Sequence, residues 1–264
     1  MNDTYTHGHQ ESVLRNHRWR TAENSAAYLL PHLTPTMSLL DVGCGPGTIT
    51  ADFAKILSNG RVVGLDSADS VIAEASGQSD LPSNCTFVTG DVYALQFDDS
   101  TFDVIHAHQV LQHLVDPVAA LREIYRVLKP GGIIALRECD YQAFLWAPAD
   151  PVLSRWLELY HAVAKRNGAE PDAGRYMLTW AHAAGLSNIR LSGSLWFFAD
   201  DASRAWWGGS WAERVESSSF ATQAMNYQLT TTTELGEIAL AWKRWLSDPD
   251  ATFGVPNVEV LATK

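Results

Sequence analysis

One stretch constrains this chain more than any other: residues 39–50, which read Leu-Leu-Asp-Val-Gly-Cys-Gly-Pro-Gly-Thr-Ile-Thr. An apolar run ends in a single carboxylate, Asp41, three glycines alternate with other residues, and a helix-like stretch follows. This is a strand, a tight turn and a helix start. Gly43, Gly45 and Gly47 leave the backbone bare where the chain must turn and where a ligand must come close, because a Cβ there would block either job. A cofactor is expected against this loop.

Two classes of cofactor use such a turn. A dinucleotide fingerprint, G-x-G-x-x-G, places its last glycine where helix packs on strand and sets the pyrophosphate on the helix N-terminus. Here that position is Thr48, and the glycines read G-x-G-x-G instead. Asp41 at the strand end is a poor neighbour for pyrophosphate and a good one for a positively charged ligand. A nicotinamide oxidoreductase is disfavoured on both counts.

The run from Asp41 to Gly47 resembles the first motif of class I S-adenosylmethionine-dependent methyltransferases. The segments after it resemble the ubiquinone/menaquinone C-methyltransferase-like (methyltransferase type 11) branch, over roughly residues 37–138. The resemblance implies a Rossmann-like fold and S-adenosyl-L-methionine as cofactor, held by Asp41, Gly43, Cys44, Gly45 and Gly47. It also implies Asp66 and Ser67 at the ribose, Gly90, Asp91 and Val92 at the adenine, and His108 and Gln109 towards the methionine end. Asp66 is legible without the family as well. It ends a β-branched run about twenty residues past the loop, where an acid accepts ribose hydroxyls in either cofactor class.

Further along, residues 85–90 read as a third strand, 101–107 as a fourth, 117–128 as a helix and 133–137 as a fifth strand that runs into Glu138. β-α units in series argue an α/β fold, a doubly wound, mostly parallel sheet of seven strands. The switch-point rule then gathers Asp41, Asp66, Asp91, His108 and Asp140 at one mouth. Residues 1–36 read as an N-terminal arm, helical over 11–33, and 37–145 as the cofactor-binding core. The remainder, 146–264, carries strands near 189–198 and 258–263. Between these lies a segment too long for a hairpin loop, read as a helical substrate cap at about 202–247. The arm is expected to act as a lid, with Tyr5 and Arg20 at the cofactor and Arg20 facing its methionine carboxylate.

Five tryptophans, Trp206, Trp207, Trp211, Trp242 and Trp245, fall in the cap. They read either as the core of a helical subdomain or as an aromatic-walled pocket for a flat or lipophilic substrate. Arg214 lies on the helical face of Trp207 and Trp211.

At 264 residues the chain can bury a sizeable core, and its net charge of -11, with no block of Lys or Arg, argues against nucleic acid and acidic membranes as partners. Cys44, Cys85 and Cys139 show no C-x-x-C spacing, so neither a zinc site nor a disulfide framework is suggested. His7 and His9 form an H-x-H without a suitable Cys or acidic partner, and no metal is assigned. With no apolar leader or membrane-length run, a cytoplasmic protein is expected.

The function expected from the resemblance is methyl transfer from S-adenosylmethionine to a small-molecule acceptor, a metabolite or natural product of secondary metabolism. S-methylation of small thiols or dithiols is the alternative, as is a cofactor-binding fold with changed chemistry, such as a cyclase or regulatory subunit. His113 matches the histidine of the family's L-x-H-L pattern. Its ordinary pKa near 6.5 suits a general base, and Asp140 and Tyr141 leave the fifth strand beside it.

Overall fold

The computed structural model of the chain describes residues 3–8 and 11–264. The arm contains α1 (Glu11–Arg18), α2 (Ala22–Ser25) and a 3-10 turn at Leu30–His32, so the single helix expected over 11–33 is broken. Thr21 is the reason. Its backbone is extended, its hydroxyl accepts the Asn24 N–H, and its own N–H donates to the Asn24 carboxamide, a reciprocal cap that starts a new helix.

The sheet is built by β1 (Ser38–Val42), α3 (Thr48–Ile56), β2 (Arg61–Asp66), α4 (Asp69–Ser76), β3 (Cys85–Thr89), β4 (Phe102–His108), α5 (Pro117–Val127) and β5 (Leu128–Cys139). These five strands pair in parallel in the order β3-β2-β1-β4-β5. Alternation sets the two faces. Leu39, Val62 and Val104 pack with Phe53 of α3, whereas Leu40, Val63 and Ile105 pack with Leu121 and Ile124 of α5. The crossover from β3 to β4 carries no helix, contrary to an uninterrupted β-α series. Arg126 holds that loop instead, donating to the carbonyls of Leu95 and Phe97.

The chain continues through β6 (Leu145–Ala147), α6 (Pro151–Arg166), α7 (Met177–Ala183), β7 (Ser187–Phe198), α8 (Asp201–Ser217), α9 (Ser219–Asn226), α10 (Thr232–Ser247) and β8 (Thr252–Thr263). β8 runs antiparallel between β5 and β7, so the sheet is mostly parallel, as expected, with its antiparallel pairings confined to this side. The eighth strand is the short β6. It pairs with residues 252–254 of β8, where β5 no longer runs, and so continues the β5 side of the sheet.

Helices α8, α9 and α10 lie between β7 and β8, and α6 joins them around one apolar cluster. Aspartates cap two of these helices, Asp150 accepting from Val152 N and Asp200 from Ser203 N, and Thr231 caps α10 through Glu234 N. Trp156 of α6 is the centre of the cluster. It is fully buried and edge-on to Trp211 at 4.5 Å and to Trp242 at 4.9 Å. Trp156→Ala should therefore cost about 3–5 kcal/mol of unfolding free energy, the usual loss for a large buried aromatic, read by urea denaturation. A loss below about 1 kcal/mol would show that the cap is not held together there.

Candidate active site

The cavity lies outside the carboxyl ends of β1, β2 and β4, with the arm and cap as its other walls. All three loop glycines have positive φ, 65° at Gly43, 54° at Gly45 and 81° at Gly47. A Cβ on Gly43 would stand 2.4 Å from Val110 Cγ2, and one on Gly47 2.4 Å from Phe87 Cζ, so both conformation and close approach require glycine there.

Asp41 lines the cavity, but its carboxylate is committed to the protein. One oxygen is 2.7 Å from His106 Nδ1 and the other accepts the Thr50 hydroxyl at 2.5 Å. A strand-end carboxylate is free by sequence either to receive hydrogen bonds or to face a cation, and this one does the first: at 3 % exposure it needs partners of its own and has found them within the fold. Asp66 is more open. Its oxygens accept the backbone N–H groups of Gly45 and Ala68, both at 3.1 Å, so it leans over the loop from the end of β2. Cys44, Gly45, Ser67, Gly90, Asp91 and Val92 also line this part of the cavity. Gly47 is not a lining residue, and its place is the turn beneath Phe87.

On the other side, His108 and Gln109 leave β4 into the cavity wall. His108 is 5 % exposed, and neither ring nitrogen has a partner among the described residues. Arg20 donates to Gln109 Oε1 at 2.6 Å and lies over the Trp196 ring. Tyr5 lies edge-on to His113 with ring centroids 4.7 Å apart. The structure thus brings Tyr5, Arg20, Gln109 and His113 together across more than a hundred residues of sequence.

The three residues expected to act on the acceptor separate. His113 lines the cavity, yet burial first, and the Arg20 charge second, push its pKa down to about 3, which corrects the expectation of an imidazole titrating near 6.5. Tyr141 also lines the cavity. Its hydroxyl is 3.2 Å from His7 Nε2, its ring stacks on Tyr160 at 4.3 Å, and burial raises its pKa. Asp140 does not reach the cavity. Its carboxylate is held by Arg175 at 2.6 and 2.7 Å and caps the following turn through Ala143 N, so the carboxyl expected at the mouth is a structural ion pair. His9 of the H-x-H lies outside the described residues. No group of three or more His, Cys, Asp or Glu that could hold a metal occurs among the described residues.

Sequence reasoning missed Asn16 and Trp196, both in the wall. Asn16 is 4 % exposed, and neither atom of its amide has a partner among the described residues. The available signal was a polar residue at helical spacing between Val13 and Arg20 on a buried face. Trp196 was hidden inside a strand-like run, where no local pattern marks the face that turns inward. Of the five cap tryptophans, Trp206, Trp207 and Trp211 line the cavity, whereas Trp242 and Trp245 belong to the cap core.

Residues 33–189 match a family described as a methyltransferase domain. The chain is 34% identical over 270 residues to an uncharacterized methyltransferase of Schizosaccharomyces pombe, covering 98% of this chain and 96% of that one. Among solved structures it resembles the YcgJ protein of Bacillus subtilis (TM-score 0.59, 19% identity, 92% of this chain and 98% of that one). It also resembles a phosphoethanolamine N-methyltransferase of Haemonchus contortus in complex with S-adenosylhomocysteine (TM-score 0.56, 17% identity, 92% and 52%). The chain belongs to the class I S-adenosylmethionine-dependent methyltransferases.

The site suits that cofactor. Glycines keep Cβ atoms out of the cradle, Asp66 presents a carboxylate beside the loop, and unpartnered buried nitrogens of His108 and Asn16 face the space. Loss of hydrogen bonds to a charged acceptor typically weakens binding by roughly 10- to 150-fold. Asp66→Ala should reduce affinity for S-adenosylhomocysteine within that range in calorimetry, and an unchanged affinity would remove Asp66 from the site.

Proposed function

We propose that the chain methylates a small, flat, largely apolar acceptor, a metabolite or natural product, lodged between the glycine loop and the cap. One observation carries this reading: Trp206, Trp207 and Trp211 of α8 line the same cavity as Gly43 and Asp66, so an apolar aromatic wall faces the cofactor cradle. Bound S-adenosylmethionine supplies an electrophilic methyl group on a sulfonium whose positive charge disappears on transfer. What remains for the protein is orientation and exclusion of water. Arg20, fixed by Gln109, is the group we assign to the cofactor's carboxylate.

The arm supplies part of the enclosure. Asp3 accepts from Val115 N at 2.9 Å, Thr6 accepts from Asn167 at 3.0 Å, and His7 Nε2 is 2.8 Å from Tyr160 Oη, so residues 3–8 run from the sheet to the cap across the cavity. Incubation with methyl-labelled S-adenosylmethionine and a panel of flat phenols and thiols should give labelled product. Deletion of residues 1–20 should abolish transfer while circular dichroism still reports the sheet. Full activity of the truncated chain would remove the arm from the site.

His113 contributes a neutral imidazole that accepts a hydrogen bond. A base with a pKa of about 3 does not take a proton from a phenol or thiol near neutrality. This favours an acceptor that ionises readily by itself, and makes S-methylation the second reading. The same shift sets a sign for stability. Unfolded His113 gains a proton below about pH 6.5 but folded His113 holds none until about 3, so its contribution to stability falls as pH drops through that window. Turnover between about pH 5 and 9 should show no inflection near 6.5 that His113→Gln removes. An inflection there, lost in the variant, would restore the imidazole as a general base.

A further inference from the structure

The cap carries a buried charge that has no counterion among the described residues. Three arginines are buried. Arg137 has Glu259 at 3.5 Å and the Ser194 hydroxyl at 3.0 Å, and Arg204 pairs with Asp201. The third, Arg214 on α8, is 5 % exposed and lines the cavity. It makes no salt bridge among the described residues, and its Nε has no hydrogen-bond partner there. Its guanidinium lies over the Trp211 ring, 5.3 Å from the centroid. Burial acts most strongly on it, followed by the phenols of Tyr141 and Tyr5, a second cation, Arg20, and the phenol of Tyr160, and its charge in turn bears on His7 and His17.

A buried charge without a partner is costly, and proteins avoid it unless something else completes the pair. Burial lowers the Arg214 pKa only to about 10, so it remains a cation near neutrality. The acids at the mouth hold partners of their own: Asp41 with His106 and Thr50, Asp66 with two loop amides, Asp91 with Tyr93 N, Asp3 with Val115 N and the Tyr93 hydroxyl, and Asp140 with Arg175. Arg20, tied to Gln109 and lying over Trp196, stands at the strand-end side of the cavity, whereas Arg214 stands on the cap helix that carries the aromatic wall.

We propose that Arg214 is the binding site for an anionic group of the methyl acceptor, either a carboxylate on its skeleton or the ionised accepting atom itself, seated beside the face of Trp211. The proposal rests on the methyltransferase reading of the same cavity. It deepens that reading by giving the acceptor a charge. A guanidinium binds either anion through charge-assisted hydrogen bonds and tolerates an adjacent aromatic face, so it suits a flat acid better than an ammonium would. The inference also agrees with the weakness of His113 as a base, since an acceptor that arrives as an anion needs no proton removed.

The test uses the full chain loaded with S-adenosylhomocysteine and two probe pairs, 2-naphthoate against 2-naphthamide and 2-naphthalenethiol against its methyl sulfide. Binding is read by calorimetry and by the fluorescence of the tryptophans in the wall. The wild type should bind at least one anion about 10- to 100-fold more tightly than its neutral partner. Arg214→Gln should erase that preference while leaving affinity for S-adenosylhomocysteine intact. Preference for the naphthoate assigns a skeletal carboxylate, and preference for the thiolate assigns the ionised acceptor.

Should the Gln variant fail to fold, Arg214→Met removes the charge without burying a polar amide and carries the same comparison. Equal binding of charged and neutral probes by the wild type, an anion preference that survives in the variant, or loss of S-adenosylhomocysteine binding by a folded variant would each overturn the proposal. Failure of the wild type to bind S-adenosylhomocysteine at all would instead overturn the reading of the cavity.

Discussion

The site depends on a three-way hydrogen-bonded contact beneath the glycine loop. Asp41, at the end of β1, takes one hydrogen bond from Thr50 on α3 and contacts His106 on β4 with its other oxygen. That single side chain ties together the strand before the turn, the helix after it and the neighbouring strand. In a fully buried setting an unmade partner would cost about 1–3 kcal/mol, so the three groups hold each other in one arrangement. The loop above them has little freedom to drift. Val110 closes the other side by packing on Gly43, and the Glu138 carboxyl fixes that turn by accepting the N–H groups of Val110 and Leu111 at 2.8 and 2.6 Å.

Against this fixed floor the cap supplies the opposite wall. Its interior is a cluster of indoles, edge-on where Trp156 meets Trp211 and Trp242 and stacked where Trp211 meets Trp242, and the three tryptophans on the cavity side are anchored by that cluster. Trp211 belongs to both. It packs on Trp156 and Trp242 behind and on Arg214 and His7 in front, so the aromatic surface offered to an acceptor is as rigid as the core behind it. A rigid wall suits a flat ligand because little side-chain freedom is lost on binding.

Most of the sheet was legible in the sequence, because parallel strands buried on both faces leave continuous apolar runs, and because alternating glycines admit few turns. Asp66 was legible for the same local reason, standing at the end of such a run. What was not legible came from distance. Asp140 follows β5 just as a mouth residue should, and only the tertiary position of Arg175 turns it into an ion pair. His113 keeps an ordinary titration in any local reading, and it is the combination of burial with Arg20, ninety-odd residues away, that depresses it. The break in the arm at Thr21 is different. Its capping box was written locally and was overridden in the reading by helical periodicity on either side.

The short segment before α1 behaves as a strap with its two ends tied to different bodies. Asp3 is fastened to the sheet side at Val115 and Tyr93, while Thr6 and His7 are fastened to the cap at Asn167 and Tyr160. Each fastening nets about 0.5–1.5 kcal/mol, small enough to undo one at a time without unfolding either body. On the proposed reading of the cavity, a molecule held underneath would leave only after these ties part. Residues 3–8 include Tyr5 and His7 of the cavity wall, so a change of sequence there would reach the space beneath as well as its cover.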